Sequence, residues 1–282
     1  MNKKGNLIKN WENAYQDLSI TYSEKVKNPI DLAEKCSREQ LLEDVRRYLP
    51  DCNGVKILEC GCGGARNSLY LALRGFDVTC SDFSPEAFRL AKANFSVSGA
   101  QGTFLVDDLM HSNIPDNSFD CVMSFGLLEH FTSLQPLADN LTRMLKPGGI
   151  QIHLVIPKKF STQNISQVIW FPYEFLHYAI KKRDFHNIIK KSWRDFPHFE
   201  SKFCPKEYKK AFQKAGNKII RCEPRDFLLP LVYLPFRVGN IIVRYFPGTL
   251  MKLFRATNRT ESGILYFFST GFCIICRKEI TR

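Results

Sequence analysis

The chain has 282 residues, 44% of them hydrophobic, with 16 Gly and 14 Pro; that supports a full core and excludes a largely disordered or collagen-like polymer. Its net charge of +12 is uneven: residues 1–150 carry 16 Lys/Arg and 19 Asp/Glu, while residues 151–282 carry 24 and 9. A surplus confined to one half points to an anionic acceptor, an anionic membrane or nucleic acid, beside the plainer reading of a solvated basic surface.

Residues 1–36 mix polar and aromatic side chains, Trp11, Tyr15 and Tyr22 among them, without a continuous apolar signal core. A cytoplasmic chain is expected, its ten cysteines held as thiols. Ser37 to Pro50 reads as a capped helix stopped by proline. Strands are then expected near 55–59, 76–80, 103–106, 119–123 and 150–156, and helices near 65–74, 85–97 and 134–145. Gly75 suits a helix end, and Ser84-Pro85-Glu86 a helix start. This alternation predicts an α/β fold, a mostly parallel sheet with helices on both faces.

The pattern breaks over 158–203, which is basic and aromatic. It resumes at 206–223 as helix, turn and strand, and 263–278 reads as a last strand. Between these lies a second insertion, 226–262, containing the apolar run Phe227–Phe236 followed by Arg237 and Arg244. No uncharged run there approaches the ~20 residues of a membrane span. It reads as a cap, as a wall for a lipophilic acceptor, or as an interfacial patch whose cations meet headgroups. Cys273 and Cys276 have the spacing of a metal or redox pair, but on a strand three residues put the two sulfurs on opposite faces.

Chemistry concentrates at Val55–Ser68, where an apolar run ends in Glu59, then Gly61-Cys62-Gly63. Strand, glycine turn and helix of this kind bind nucleotide-like cofactors, and Asp82 ends the next apolar run, placed for ribose hydroxyls. A dinucleotide fingerprint wants a third glycine where Arg66 stands, and Glu59 would oppose a pyrophosphate. An ammonium group suits that acid. S-adenosyl-L-methionine (SAM), with an amino-acid end, a ribose and an adenine, carries one.

Six segments in order then resemble a class I SAM-dependent methyltransferase: Leu-Glu-Cys-Gly-Cys-Gly at 58–63, Ser-Asp-Phe-Ser at 81–84, Val-Asp-Asp-Leu at 106–109, Asp-Asn-Ser-Phe-Asp at 116–120, Ser-Phe-Gly-Leu-Leu-Glu-His-Phe at 124–131 and Leu-Lys-Pro-Gly-Gly at 145–149. The resemblance is strong over about 40–157. It implies a Rossmann-like, mostly parallel seven-stranded sheet with α-rich insertions forming a cap. Four regions follow: a helical segment, 1–50, closing over the cofactor; a SAM-binding core, 51–157; an inserted cap and acceptor region, 158–205; and the completion of the sheet, 206–282.

The resemblance also implies roles. Glu59 orients the amino end of SAM, and Gly61 and Gly63 give access to backbone. Asp82 takes the ribose hydroxyls, or caps the next helix beside Ser84. Phe83 lies on adenine, and Asp108 with the Leu109 amide reads its edge, Asp107 being one register away. Ser124 and Phe125, placed just past the fourth strand, pass under the methionine portion. Tyr15 or Tyr22 closes over the cofactor, and Arg66 reaches its carboxylate or merely covers the turn. A base is needed only if the nucleophile arrives protonated. His130 is the first candidate, then Tyr173 and His177, with Tyr178, His186 and His198 in the same insertion; His153 reads as core. No metal site is expected.

The function implied is methyl transfer to a small-molecule or lipophilic, anionic acceptor, leaving S-adenosyl-L-homocysteine (SAH). Basicity keeps an RNA methyltransferase as an alternative, though Ser-Phe-Gly-Leu stands where an Asn-Pro-Pro-Tyr-like base-binding motif would be. A non-catalytic SAM-binding regulatory protein is the other. Peripheral contact with an anionic membrane goes with the lipophilic reading.

Overall fold

The computed structural model describes residues 22–50, 54–156, 201–225, 236–257, 269 and 271–280. Its first helix, α1, spans Pro29–Tyr48 and so starts well before Ser37. Asn28 is the cap: its Oδ1 accepts from the Asp31 N–H at 2.9 Å, and Pro29 occupies the first turn, where no N–H is required. The added turns bury Leu32 and Cys36, which is why the helix extends this far.

The chain continues as β1 (Lys56–Cys60), α2 (Arg66–Ala72), β2 (Asp77–Asp82), α3 (Pro85–Ser98), β3 (Thr103–Val106), β4 (Phe119–Phe125), α4 (Leu134–Met144) and β5 (Leu145–Val155). After the first insertion come α5 (Pro205–Lys214), β6 (Asn217–Arg225), α6 (Phe236–Tyr245), α7 (Pro247–Thr257) and β7 (Gly271–Lys278). Ser84 caps α3 by accepting from the Ala87 N–H at 3.3 Å, and Gly99 ends it at φ +65°.

Two boundaries differ from the sequence reading. β4 runs to Phe125, so Ser124 and Phe125 are its last two residues rather than the residues beyond it. β5 begins at Leu145, not at 150, because Leu145 already pairs with Phe119 before a register shift.

All seven strands form one sheet in the order β3-β2-β1-β4-β5-β7-β6. β1 to β5 pair in parallel; β7 is antiparallel to both β5 and β6. Alternate strand residues feed two apolar layers. Ile57, Val78, Met123 and Ile275 pack with Leu69 and Phe95, whereas Leu58, Val122 and Ile274 pack with Leu141 and Phe212. Cys273 belongs to the first layer and Cys276 to the second, so their thiols face opposite sides.

Of the second insertion, α6 and α7 lie against α1. Val243 is buried with Leu32 and Cys36, and Arg255 pairs with Glu39 at 2.9 Å. Arg225 bridges Asp44 of α1 to Glu223, tying the same helix to β6. Among the described residues no helix is long and apolar enough to cross a membrane. Residues 157–200, and with them most of the expected cap, lie outside the described residues.

Candidate functional site

The strand order reverses between β1 and β4, which opens a crevice at their carboxyl ends. A cleft of about 370 Å³ occupies it. One wall is the turn after β1, with Glu59, Gly61, Cys62, Gly63, Gly64, Arg66 and Asn67; the opposite wall is α1, with Ala33, Glu34, Ser37 and Arg38. Phe125 and Leu154, near the ends of β4 and β5, close the side.

The turn has the conformation its glycines allow. Gly61 and Gly63 sit at φ +64° and +50°, and a Cβ on Gly61 would stand 2.7 Å from Leu127 Cδ1. Glu59 projects from the end of β1 and is fastened by Ser68, whose N–H and Oγ donate to Oε2 at 3.0 and 2.5 Å. Burial pushes its carboxyl up to about 7, against those two hydrogen bonds. Arg66 leaves the start of α2 and donates to Glu34 Oε1 at 2.5 Å. Arg38, 3% exposed, donates to Glu34 Oε2 at 3.1 Å and to the Ser23 carbonyl at 3.2 Å, while its Nε has no partner. Tyr22 does not line the cleft; its ring lies under the Arg38 guanidinium, and its hydroxyl donates to Glu24 at 2.6 Å.

Asp82 lies behind the turn. Its Oδ2 accepts from the Gly63 N–H at 2.9 Å and its Oδ1 from the Ser84 N–H at 3.0 Å, so it braces the glycine turn and the α3 start together. Burial raises its pKa against those hydrogen bonds. Phe83 is half-buried, and Leu109 is buried in a single 3₁₀ turn, Leu109–His111. Asp108 caps that turn, with Oδ1 accepting from the Met110 N–H at 3.2 Å and Oδ2 2.9 Å from His111 Nδ1. Asp107 donates its N–H to the Asp82 carbonyl at 2.9 Å and holds a buried Oδ2 without a partner.

Ser124 turns away from the cleft, into the second apolar layer. Gln151 Nε2 donates to Thr142 and Asn217 at 3.0 and 2.9 Å, which leaves its Oε1 to accept from His153 Nε2 at 2.9 Å. His153 Nδ1 therefore accepts, and Ser124 Oγ donates to it at 2.8 Å; this tautomer is assigned from the network. Complete burial lowers the His153 pKa to about 3 and keeps the ring neutral. His153 is thus core, and the Ser124 side chain belongs to the core with it rather than to the cleft.

A second 3₁₀ turn, Leu128–His130, follows β4. His130 is half-buried, and burial lowers its pKa with the Gly126 backbone opposing. Glu129 is 6% exposed, and neither of its oxygens has a hydrogen-bond partner. Tyr15, Tyr173 and His177, like Tyr178, His186 and His198, lie outside the described residues.

The cleft therefore brings together Glu59, Gly61, Gly63, Arg66 and Phe125, with Asp82 directly behind. Glu34, Ser37, Arg38 and Asn67 complete it without having been singled out in the sequence. Glu34 and Arg38 were detectable as an i,i+4 acid–base pair, but only on a helix that starts at Pro29.

Residues 58–153 match the family model of a methyltransferase domain. The ubiquinone biosynthesis O-methyltransferase of Rickettsia canadensis (strain McKiel) is 29% identical over 146 residues, 51% of this chain and 56% of that protein. The 2-methyl-6-phytyl-1,4-hydroquinone methyltransferase of Synechocystis sp. is 36% identical over 100 residues, 35% of this chain and 31% of that protein. The chain thus spans about half the length, or less, of these curated relatives. Among solved structures, geranyl diphosphate C-methyltransferase from Streptomyces coelicolor A3(2), in complex with Mg2+, geranyl diphosphate and SAH, covers 98% of this chain and superposes with a TM-score of 0.56 at 13% identity. The matched domain, the seven-stranded order and the glycine turn facing α1 make residues 58–153 a methyltransferase domain of the class I SAM-dependent type.

Proposed function

We propose that the chain transfers a methyl group from SAM to a small, lipophilic acceptor. The observation that carries this is the cleft, where a buried acid, a bare glycine turn and two guanidinium groups converge. Those groups fit the amino-acid end of SAM: Glu59 takes the ammonium, and Arg38 with Arg66 the carboxylate. Gly61 lines the cleft, and a side chain there would press on Leu127. Asp82 takes the ribose hydroxyls, Phe83 covers adenine, and Asp108 with the Leu109 amide reads its edge. The unpartnered Oδ2 of Asp107 favours that residue as the second candidate for the edge. Phe125 lies under the methionine portion.

When bound, SAM supplies an electrophilic methyl on a sulfonium. The chain's own residues align the reactants and keep water out. The acceptor belongs over the carboxyl ends of β4 and β5, the edge of such sheets where ligands bind and the point at which residues 157–200 are inserted. The names of the relatives, a ubiquinone and a phytyl hydroquinone methyltransferase, support a lipophilic aromatic acceptor. Calorimetry tests the cofactor assignment: SAM and SAH bind, NAD does not, and Asp82→Ala weakens binding through lost charge-assisted hydrogen bonds, each about 1.5–3 kcal/mol. Unchanged affinity in folded Asp82→Ala protein refutes the ribose role.

A lipophilic acceptor also favours peripheral contact with an anionic membrane. Ile241, Tyr245, Phe246 and Leu253 are exposed on α6, α7 and their junction, beside exposed Arg244 and Lys252. Residues 227–235, and the side chains of Phe236 and Arg237, lie outside the described residues. Burial and charge would act together on such a surface. Flotation with liposomes should require acidic lipid, weaken with salt, and fall in an Arg244→Glu, Lys252→Glu variant; flotation indifferent to all three refutes it.

A further inference from the structure

Among the described residues, Glu129 is the one side chain with two buried polar atoms and no hydrogen-bond partner for either. Buried polar groups in native proteins are overwhelmingly paired, and an unpartnered carboxyl group is among the costliest exceptions. Glu129 follows β4 by four residues, in a tight turn where the His130 N–H donates to the Leu127 carbonyl at 3.1 Å and the Phe131 N–H to the Leu128 carbonyl at 3.3 Å.

Glu129 stands next to the cleft wall formed by Phe125 and Leu154 rather than in its lining. A Cβ on Gly126 would stand 3.6 Å from Glu129 Oε1, and Gly126 follows Phe125 of the cleft wall. Ile156 lies near its carboxyl and comes two residues after Leu154, on the same wall. Ile156 also accepts from the Ser201 N–H at 3.2 Å, so the first insertion leaves and rejoins the fold beside this acid. On the far side stands Tyr208 of α5, whose hydroxyl is 2.7 Å from Ser201 Oγ and donates to the Leu128 carbonyl at 3.2 Å, not to Glu129.

We propose that Glu129, rather than His130, meets the acceptor, and that it accepts the proton of an acceptor hydroxyl of the phenol or hydroquinone class. This rests on the methyltransferase reading above. The acceptor oxygen forms its new bond to the methyl carbon as the S–C bond breaks, with that electron pair leaving on sulfur. The O–H pair becomes an oxygen lone pair, and the proton passes to the Glu129 carboxylate and then to water. An acid with no internal partner suits this: the hydroxyl supplies the missing hydrogen bond. Burial pushes Glu129 up to about 7, opposed by the backbone of Glu129 and Ile156, which approach it without meeting hydrogen-bond geometry. A base of that strength stays ionised above neutrality and gains proton affinity over an ordinary carboxylate. His130, its basicity lowered by burial, is the weaker base for its place.

The test uses the full chain, SAM and a short-chain prenyl hydroquinone. Glu129→Gln should bind SAM within about twofold of the unmodified protein, while kcat falls by about 10²–10⁴. In the SAH-loaded protein the hydroquinone should bind Glu129→Gln within about threefold and Glu129→Leu about tenfold more weakly, one hydrogen bond's worth. The kcat profile at saturating SAM should rise through an apparent pKa near neutrality, and the Gln variant should lose that limb. Among the described residues, the titratable groups beside Glu129 are His130 in its own turn and Tyr208 of α5, whose pKa burial raises far into alkali; Glu59 is removed from the profile by saturating its cofactor. If Glu129→Gln does not fold, Glu129→Asp should slow transfer and keep the limb. Transfer by Glu129→Gln within about threefold of the unmodified rate overturns the inference. So does absence of transfer to the hydroquinone by protein that binds SAM. Failure to bind SAM sinks the methyltransferase reading instead.

Discussion

The carboxylate of Glu34 holds both cations of the cleft: Oε1 accepts from Arg66 at 2.5 Å and Oε2 from Arg38 at 3.1 Å. A cofactor carboxylate in the cleft competes with Glu34 for these guanidinium groups. Glu34→Gln should therefore tighten SAH binding by about 3- to 10-fold, and Arg38→Met should weaken it by about tenfold or more. Calorimetry of the two variants decides between competition and support. Weaker binding by Glu34→Gln would mean that the pair holds α1 in place instead.

Glu59 links cofactor affinity to pH. Its folded pKa of about 7 lies above the usual carboxylate value, so between about 4.5 and 7 the folded, empty protein binds more protons than the unfolded chain. The contribution of Glu59 to stability is thus greatest at low pH and is lost as pH rises through 7. An ammonium in the cleft favours the ionised acid and reverses the shift. Affinity for SAM should fall about tenfold per unit below pH 7, and binding at pH 6 should release close to one proton. Titration in two buffers of different ionisation enthalpy reads this directly. Glu59→Gln should abolish the release; a release that persists assigns the proton elsewhere.

Gly61→Ala should damage stability and binding separately. The left-handed backbone costs an alanine about 1–2 kcal/mol. Its methyl would also meet Leu127 at 2.7 Å, for which overpacking adds about 1–3 kcal/mol. Adding Leu127→Ala should recover part of the melting temperature but not cofactor affinity, because the turn that lines the cleft still carries a strained left-handed alanine. Recovery of both would place the whole effect in the clash.

Gln151→Leu should leave the His153 Nε2–H and Asn217 Oδ1 orphaned in the core. We expect a loss of about 2–4 kcal/mol in urea unfolding. SAM affinity should change little, since the network faces the layer opposite the cleft. A loss below about 1 kcal/mol would show that neighbouring side chains reorganise to satisfy these atoms.

The strand and helix alternation was legible because the inner strands are short apolar runs buried on both faces, and because Gly75 and Ser84-Pro85 mark element ends with distinct chemistry. The start of α1 was not. Asn28-Pro29 is an adequate signal, but Leu32 and Cys36 are separated by Glu34 and Lys35, and their apolar face becomes visible only against Val243. The glycine turn and its acids were legible as a local motif. Arg38, whose contribution depends on a helix crossing the cleft, was not. Ser124 was placed at the right strand end, yet its side chain direction follows from a register of two that shifts with one residue. Glu129 was passed over for its neighbour His130, because a sequence records the residue type and not the missing partner.

β7, the last strand in the chain, lies inside the sheet, between β5 and β6. Until residues 271–278 are made, β6 has nothing to pair with and β5 presents an open edge. Closure joins β5 to a strand more than a hundred residues away, a loop whose ends meet slowly. A nascent chain can thus build the cofactor half early and still carry an adhesive edge. Chaperone dependence during synthesis, and aggregation of chains cut before Gly271, follow from where that single strand enters.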